Sequence, residues 1–157
     1  MTHSPIAPAL TDAMRIALVE ARDAAAAGEV PVAAVVMHTA SGQIIARAQN
    51  RMMRDGDGTA HAEVLALREA ARAVGDRELG NYTLIVTLEP CAMCAGAIVL
   101  SRVGSLVFGA WDAKAGMCGS IGDLVRHGRL NHQPEVRGGV LEDEGAALLK
   151  AFFAQRR

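Results

Sequence analysis

Cysteine is scarce in this 157-residue chain. Three residues, Cys91, Cys94 and Cys118, are too few and too unevenly placed for a disulfide framework, so reduced thiols and a cytoplasmic setting are expected. Long apolar runs are missing as well. None approaches the roughly 20 residues that a membrane helix requires. The opening "MTHSPIAPALTDAM" has no basic segment leading into an apolar core, so a secretory leader is not expected. Charge of one sign is also absent: 16 Lys and Arg stand against 17 Asp and Glu, a net charge of −1. That excludes whole-surface attraction to nucleic acid, and any such contact must be local. The basic stretches "RHGRLNHQPEVR" (126–137) and the terminal "FFAQRR" are the places for it, although either could be a solvated face. Without repeats, low-complexity tracts or a linker, one domain over 1–157 is expected.

About half of the residues are apolar, and a chain of this length can bury roughly two-thirds of its unfolded surface, so it needs neither disulfide nor metal merely to fold. Thr11 and Asp12 stand where an N-cap would, ahead of "AMRIALVEARDAAAAG", with Gly28 as the stop. The runs 32–38 and 43–49 flank "ASG" as a β-hairpin, and "MMRDGDG" reads as a loop. A helix follows over about 60–74, then a strand at 83–88, a helix at about 91–101 and a strand at 105–109. A glycine-rich loop, a short helix near 120–126 and a C-terminal helix over about 142–154 complete the chain. A hairpin followed by strand–helix alternation implies an α/β fold, a mixed sheet with helices on both faces.

The chemistry lies at two helix starts. "EPCAMC" places Cys91 and Cys94 three positions apart just after a strand. Alone, such a pair fits a redox dithiol, a structural zinc site or plain packing, although nothing thioredoxin-like surrounds it. "TAHAE" adds His61, and one imidazole with two thiolates makes a three-ligand zinc set that leaves a fourth position for water. Helix N-termini favour the thiolates. Two thiolates nearly cancel the dication, so a nearby base matters more, and Glu63 is the candidate to move the proton; an ordinary first-turn Glu favoured by the helix dipole is the alternative. The joined pattern H-x-E … P-C-x-x-C, with Pro90 in place, is far more specific than either half and is an established zinc-deaminase signature.

From Val30 onward the chain resembles the bacterial tRNA-specific adenosine deaminases, through "EVPVAAVV", "AQNR", "TAHAE", "VTLEPCAMCAGA", "VFGAWDAKAG", "LNH", "GGVL" and "LLKAFF". The resemblance implies a three-layer α/β/α cytidine-deaminase-like fold on a mixed five-stranded sheet, a homodimer and one zinc per subunit. It also implies conversion of adenosine to inosine at the wobble position (34) of tRNA(Arg), with release of ammonia. Activated water would attack C6 of a flipped-out adenine, and Glu63 would carry the proton to the ring nitrogen and then to the departing amine. Asn50 would read the base edge, and Glu89 and Pro90 would line the pocket beside the metal. Asp112 would meet sugar hydroxyls and Lys114 a phosphate. One of Phe152 and Phe153 would face the RNA anticodon arm while the other is core, and Arg156 and Arg157 would meet phosphates.

The chain departs from the family pattern at three places. Gly58 replaces a proline and is expected to loosen the loop before His61. Cys118 stands where a small residue is usual and would close the site if it bound zinc. Trp111, beside Asp112, would stack on a base or pack. Two other functions use the same residues: a zinc deaminase for a free base or nucleoside of the guanine or cytosine type, and a non-catalytic module with structural zinc.

Overall fold

The structure, a computed structural model, describes residues 6–156. Its elements run α1 (Pro8–Ala26), β1 (Ala33–His38), β2 (Ile44–Gln49), α2 (Met52–Asp55), α3 (Ala62–Val74), β3 (Tyr82–Leu88), α4 (Ala92–Leu100), β4 (Ser105–Ala110), β5 (Glu135–Arg137) and α5 (Glu142–Ala154). The strands form one mixed sheet in the order β2-β1-β3-β4-β5. β1 pairs antiparallel with β2 and β3, whereas β3–β4 and β4–β5 are parallel.

Alternation along the central strands builds the layers. Val35, Met37, Ile85 and Val107 point to one face, where they meet Ala13, Met14, Ala17 and Leu18 of α1. Ala34, Val36, Leu84, Val86, Leu106 and Phe108 point to the other and pack with Ala62, Ala66 and Ala70 of α3 and Ile98 of α4. β1 and β3 are therefore buried on both sides and read as near-continuous apolar runs. Contacts of α5 with β4, β3 and α1 put it in the α1 layer, so the fold is the expected α/β/α arrangement.

Four boundaries differ from the sequence reading. α1 begins at Pro8, at the helix's first turn, where a missing N–H costs nothing; Thr11 and Asp12 therefore lie inside the helix and not at its cap. Gly28 does end it, with φ +83 just past the C-cap. Residues 52–55 of the expected loop close into one helical turn, α2. The helix expected near 120–126 does not form. Its interior groups are committed elsewhere: Leu124 N–H donates to the Met117 carbonyl, the Gly122 carbonyl accepts from Gly119 N–H, and Cys118 pairs with Asp123 as an isolated bridge. The fifth strand, absent from the periodicity reading, is the three-residue edge segment Glu135–Arg137.

Candidate metal centre and cavity

His61 is the N-cap residue of α3 and Cys91 that of α4, both with extended backbone, and Cys94 follows in the first turn of α4. At an N-cap the chain has not yet entered the helix, so both side chains splay back past the helix end. Two helix starts, each behind a loop or strand, thus aim three donors at one point.

Those donors are Nδ1 of His61 and the sulfurs of Cys91 and Cys94, all within 4.8 Å of one another. Nδ1 lies 3.6 Å from the Cys91 sulfur and 3.4 Å from that of Cys94. Zn–N of about 2.0–2.1 Å and Zn–S of about 2.3 Å at a tetrahedral ion put nitrogen and sulfur roughly 3.6 Å apart. Both nitrogen–sulfur edges match that figure, so the donor set fits zinc. The Cys94 thiol and the His61 ring push Cys91 down to about 3, and the proton retained beside that thiolate, together with burial, pushes Cys94 up. A bound dication would take the place of that shared proton.

Cys118 does not join them. It is fully buried, its sulfur lies 3.9 Å from the Pro90 carbonyl, and its backbone N–H donates to Glu89 at 3.0 Å. Burial first, and the Glu89 charge second, raise its thiol to about 12, which suits a neutral core group. Among the described residues the ligand set stops at three.

Beside the triad lies a cavity of about 150 Å³, lined by His61, Glu63, Cys91, Asn50, Glu89 and Asp112 with an apolar rim of Val30, Val32, Met52, Leu88 and Ala115. It is about half the lower bound of drug-sized pockets, roughly 300 Å³, and suits a single ring system. Glu63, second residue of α3, is 4% exposed, and burial raises its carboxyl above the usual range although the Cys94 thiol and the His61 charge oppose this. So His61 and Glu63 do reach one cavity from positions i and i+2, because one caps the helix and the other lies within its first turn.

The cavity's far walls rest on two buried glutamates. Glu29, fully buried, accepts backbone N–H bonds from Val30, Met53 and Arg54 at 3.0–3.3 Å, and Arg54 adds an ion pair at 3.5 Å. Asn50 Nδ2 lies 3.5 Å from the same carboxylate, and its Oδ1 is buried without a partner. Burial pushes the Glu29 carboxyl up, but the three backbone donors and Arg54 outweigh it and hold the group below its ordinary 4.5. A folded-state value below the unfolded one gives stability that is complete above about pH 4.5 and lost as pH falls through the folded value. We therefore expect Glu29→Gln to flatten the acid limb of a Tm-against-pH profile, and an unchanged limb would contradict this.

The remaining residues singled out by sequence fall as follows. Pro90 offers its carbonyl to Met117 N–H at 2.9 Å and is not part of the cavity lining. Lys114 is exposed, with its backbone N–H on Asp112 Oδ1 at 3.0 Å. Phe152 is 7% exposed and Phe153 50%, which identifies the core member of the pair. Arg156 stacks over the Phe152 ring at 4.2 Å and donates to the Gly28 carbonyl at 2.7 Å, two residues from Val30 in the cavity rim. Arg157 lies outside the described residues. Trp111 packs edge-on against Phe108 with ring centroids 4.8 Å apart, yet keeps 48% exposure.

Gly58 does not slacken its loop. Thr59 donates both its N–H and its hydroxyl to Asp57 at 2.8 Å, and Ala60 carbonyl accepts from Arg51 at 2.9 Å. A Cβ at Gly58 would meet nothing within 4 Å, and its φ is not in the left-handed range. Gly58→Ala is expected to stabilise by about 0.4–1 kcal/mol through the unfolded state, raising Tm by roughly 1–4 °C; a lower Tm in a thermal melt would refute this.

Three inward donors, a cavity on the open side and a buried carboxylic acid within it define a zinc-dependent deaminase. Residues 9–110 match the family described as cytidine and deoxycytidylate deaminase zinc-binding region, and the chain belongs to it. Within that family it is 49% identical over 144 residues to a tRNA-specific adenosine deaminase of Bacillus subtilis, covering 92% of this chain and 88% of that one. A solved structure from work on A-to-I editing by tRNA:A34 deaminases superposes with a TM-score of 0.83 at 42% identity, over 88% of this chain and 99% of that one. The guanine deaminase of Nitrosomonas europaea superposes with a TM-score of 0.79 at 29% identity, over 98% and 97%.

Proposed function

We propose that the chain works as a single zinc-dependent deaminase domain that converts adenosine to inosine at the wobble position of tRNA(Arg), consuming water and releasing ammonia. The reading rests above all on the His61–Cys91–Cys94 triad, which shares one base-sized cavity with Glu63 in a chain 49% identical to a tRNA-specific adenosine deaminase. His61, Cys91 and Cys94 would hold zinc, which would supply a water of lowered pKa. Glu63 would pass one proton of that water to the ring nitrogen, where it stays, and move the second, from the C6 hydroxyl, to the amine, so that C6 keeps the oxygen and the C–N bond breaks with release of ammonia. Its raised carboxyl suits a group that must hold a proton for part of the cycle.

Asn50 offers an amide to the base edge, and the apolar rim grips the ring faces. Asp112, on the opposite wall, faces the ribose through Oδ2, since its Oδ1 already accepts from Lys114 and Ala115 N–H. Lys114, the half-exposed Phe153 and Arg156 are exposed and would meet the anticodon arm, and the reading adds Arg157 as a phosphate contact from its charge alone. The same reading has the enzyme act in the cytoplasm as a homodimer. Support for a second copy comes from α4, which is apolar throughout: Met93 and the 84%-exposed Leu100 stay uncovered on its outer side.

The test is to incubate the protein with tRNA(Arg) bearing A at position 34 and to sequence for inosine, beside free guanine assayed for ammonia. Inosine on the tRNA is expected. Ammonia from guanine with an unedited tRNA would favour the free-base reading, for which the guanine deaminase superposition speaks.

A further inference from the structure

We propose that Glu89 is a positioning residue: its carboxylate locks the 112–120 loop, which carries the ribose-side wall of the cavity, onto the segment that delivers the zinc ligands. This rests on the deaminase reading above for what the wall binds. Glu89 lines the cavity, and its place next to Pro90 and Cys91 suggests a substrate contact, but the carboxylate is already spoken for. Oε1 accepts from Asp112 N–H at 3.0 Å and from the Ser120 hydroxyl. Oε2 accepts from the N–H groups of Cys118 and Ser120, each at 3.0 Å. An ionised carboxylate has about four acceptor positions, and four donors occupy them. No capacity is left for a base or a sugar.

All four donors belong to one loop, and they come from both of its ends. The loop leaves the sheet where parallel pairing stops: Glu89 N–H takes the Ala110 carbonyl at 2.8 Å, the last bond between the two segments. Beyond that point the Glu89 side chain does the work of the missing ladder. The Pro90 carbonyl continues it by accepting from Met117 N–H at 2.9 Å, so residues 89 and 90 bind loop positions 112, 117, 118 and 120 directly before Cys91. The fit is close on the loop side too. A Cβ on Gly116 would come within 2.3–2.4 Å of the Glu89 carboxyl atoms, so only glycine lets the backbone pass. The loop's contribution to the cavity is Asp112 and Ala115, which face His61, Glu63 and Cys91 across it. The width of the cavity between metal side and ribose side is therefore set by one buried carboxylate whose acceptor positions are all taken by the loop.

The consequence is measurable as a change in substrate binding without loss of metal. Glu89→Gln turns one acceptor oxygen into a donor aimed at donors, so the loop must move. With zinc per chain unchanged, KM for a wobble-A anticodon stem–loop is expected to rise about tenfold or more, with a smaller change in kcat. Ser120→Ala, which deletes a single partner, should raise KM by about threefold. Gly116→Ala should behave like Glu89→Gln. It should add nothing in a Glu89→Ala background, because the atoms its Cβ would strike are gone; the same non-additivity should appear in thermal melts, which need no substrate.

Wild-type KM and kcat in Glu89→Gln would overturn the proposal. So would zinc loss in proportion to activity, or a full additive cost of Gly116→Ala in the Glu89→Ala chain. Should Glu89→Gln fail to fold, Ser120→Ala and Gly116→Ala in the otherwise unaltered chain decide alone, and an unmoved KM in both refutes the idea. A wild-type protein that makes no inosine on the RNA would count against the proposed function, whereas active wild type with indifferent variants counts only against this role for Glu89.

Discussion

Glu63→Gln is expected to lower kcat for inosine formation by about 10²–10⁴-fold while zinc stays bound, the range general acid–base catalysis contributes. The variant isolates proton movement because little else changes. Glutamine has nearly the volume of glutamate, so the 4%-exposed site in the first turn of α3 keeps its packing. Glu63 is not one of the three metal-facing donors, so the triad is untouched. What disappears is the ability to accept a proton on the water side and release it on the amine side. The alanine variant would add a hole in a buried wall and confuse the two effects. Metal analysis and single-turnover sequencing of a wobble-A RNA provide the check. A Gln variant retaining more than about a tenth of wild-type kcat would remove Glu63 from the proton path, since even the low end of that contribution is a hundredfold.

The metal centre was legible in the sequence, and Asn50, Glu89 and Asp112 of the cavity lining through the family resemblance, whereas the bonds that hold those walls in place were not, for a physical reason. His61, Cys91 and Cys94 sit at helix starts that local pattern identifies, and their residue types state their chemistry. Glu29 and Glu89 also stand out as charged residues beside apolar runs, but their partners are backbone N–H groups 24–31 positions away, at Met53, Arg54, Cys118 and Ser120. Any residue except proline supplies such a donor, so no residue type marks it. The helix near 120–126 is missing because its interior groups pair elsewhere: Leu124 N–H, which a helix would give to the Ser120 carbonyl, goes to Met117, and the Gly122 carbonyl, which would take Arg126 N–H, accepts from Gly119. β5 escaped notice because three residues are too few for alternation to appear. Phe152 and Phe153 were separable only by structure, since adjacent positions on a helix point about 100° apart and sequence does not say which faces the sheet.

His61→Ala and Cys94→Ser are expected to take zinc from one per chain to near background and to abolish inosine formation, with a drop in Tm that chelators cannot deepen. Each step follows from the donor set. Beyond the three ligands there is no fourth protein donor among the described residues to compensate for a loss, because Cys118 lies against the Pro90 carbonyl and is held neutral by its burial. An ion that binds the folded chain and not the unfolded one stabilises by RT ln(1 + [L]/Kd), about 2.7 kcal/mol at a hundredfold excess over Kd. Wild type should therefore lose Tm on chelation by roughly 5–11 °C, and the ligand variants should start at that lower Tm and stay there. Cys118→Ala is the control: it trims a buried side chain, costs about 1 kcal/mol, keeps zinc and keeps the chelator response. The two outcomes separate a three-donor catalytic centre from a four-donor structural one. If Cys118→Ala emptied the site as His61→Ala does, the open position that hydrolysis needs would be filled by sulfur, and the chain would hold zinc only as a structural brace.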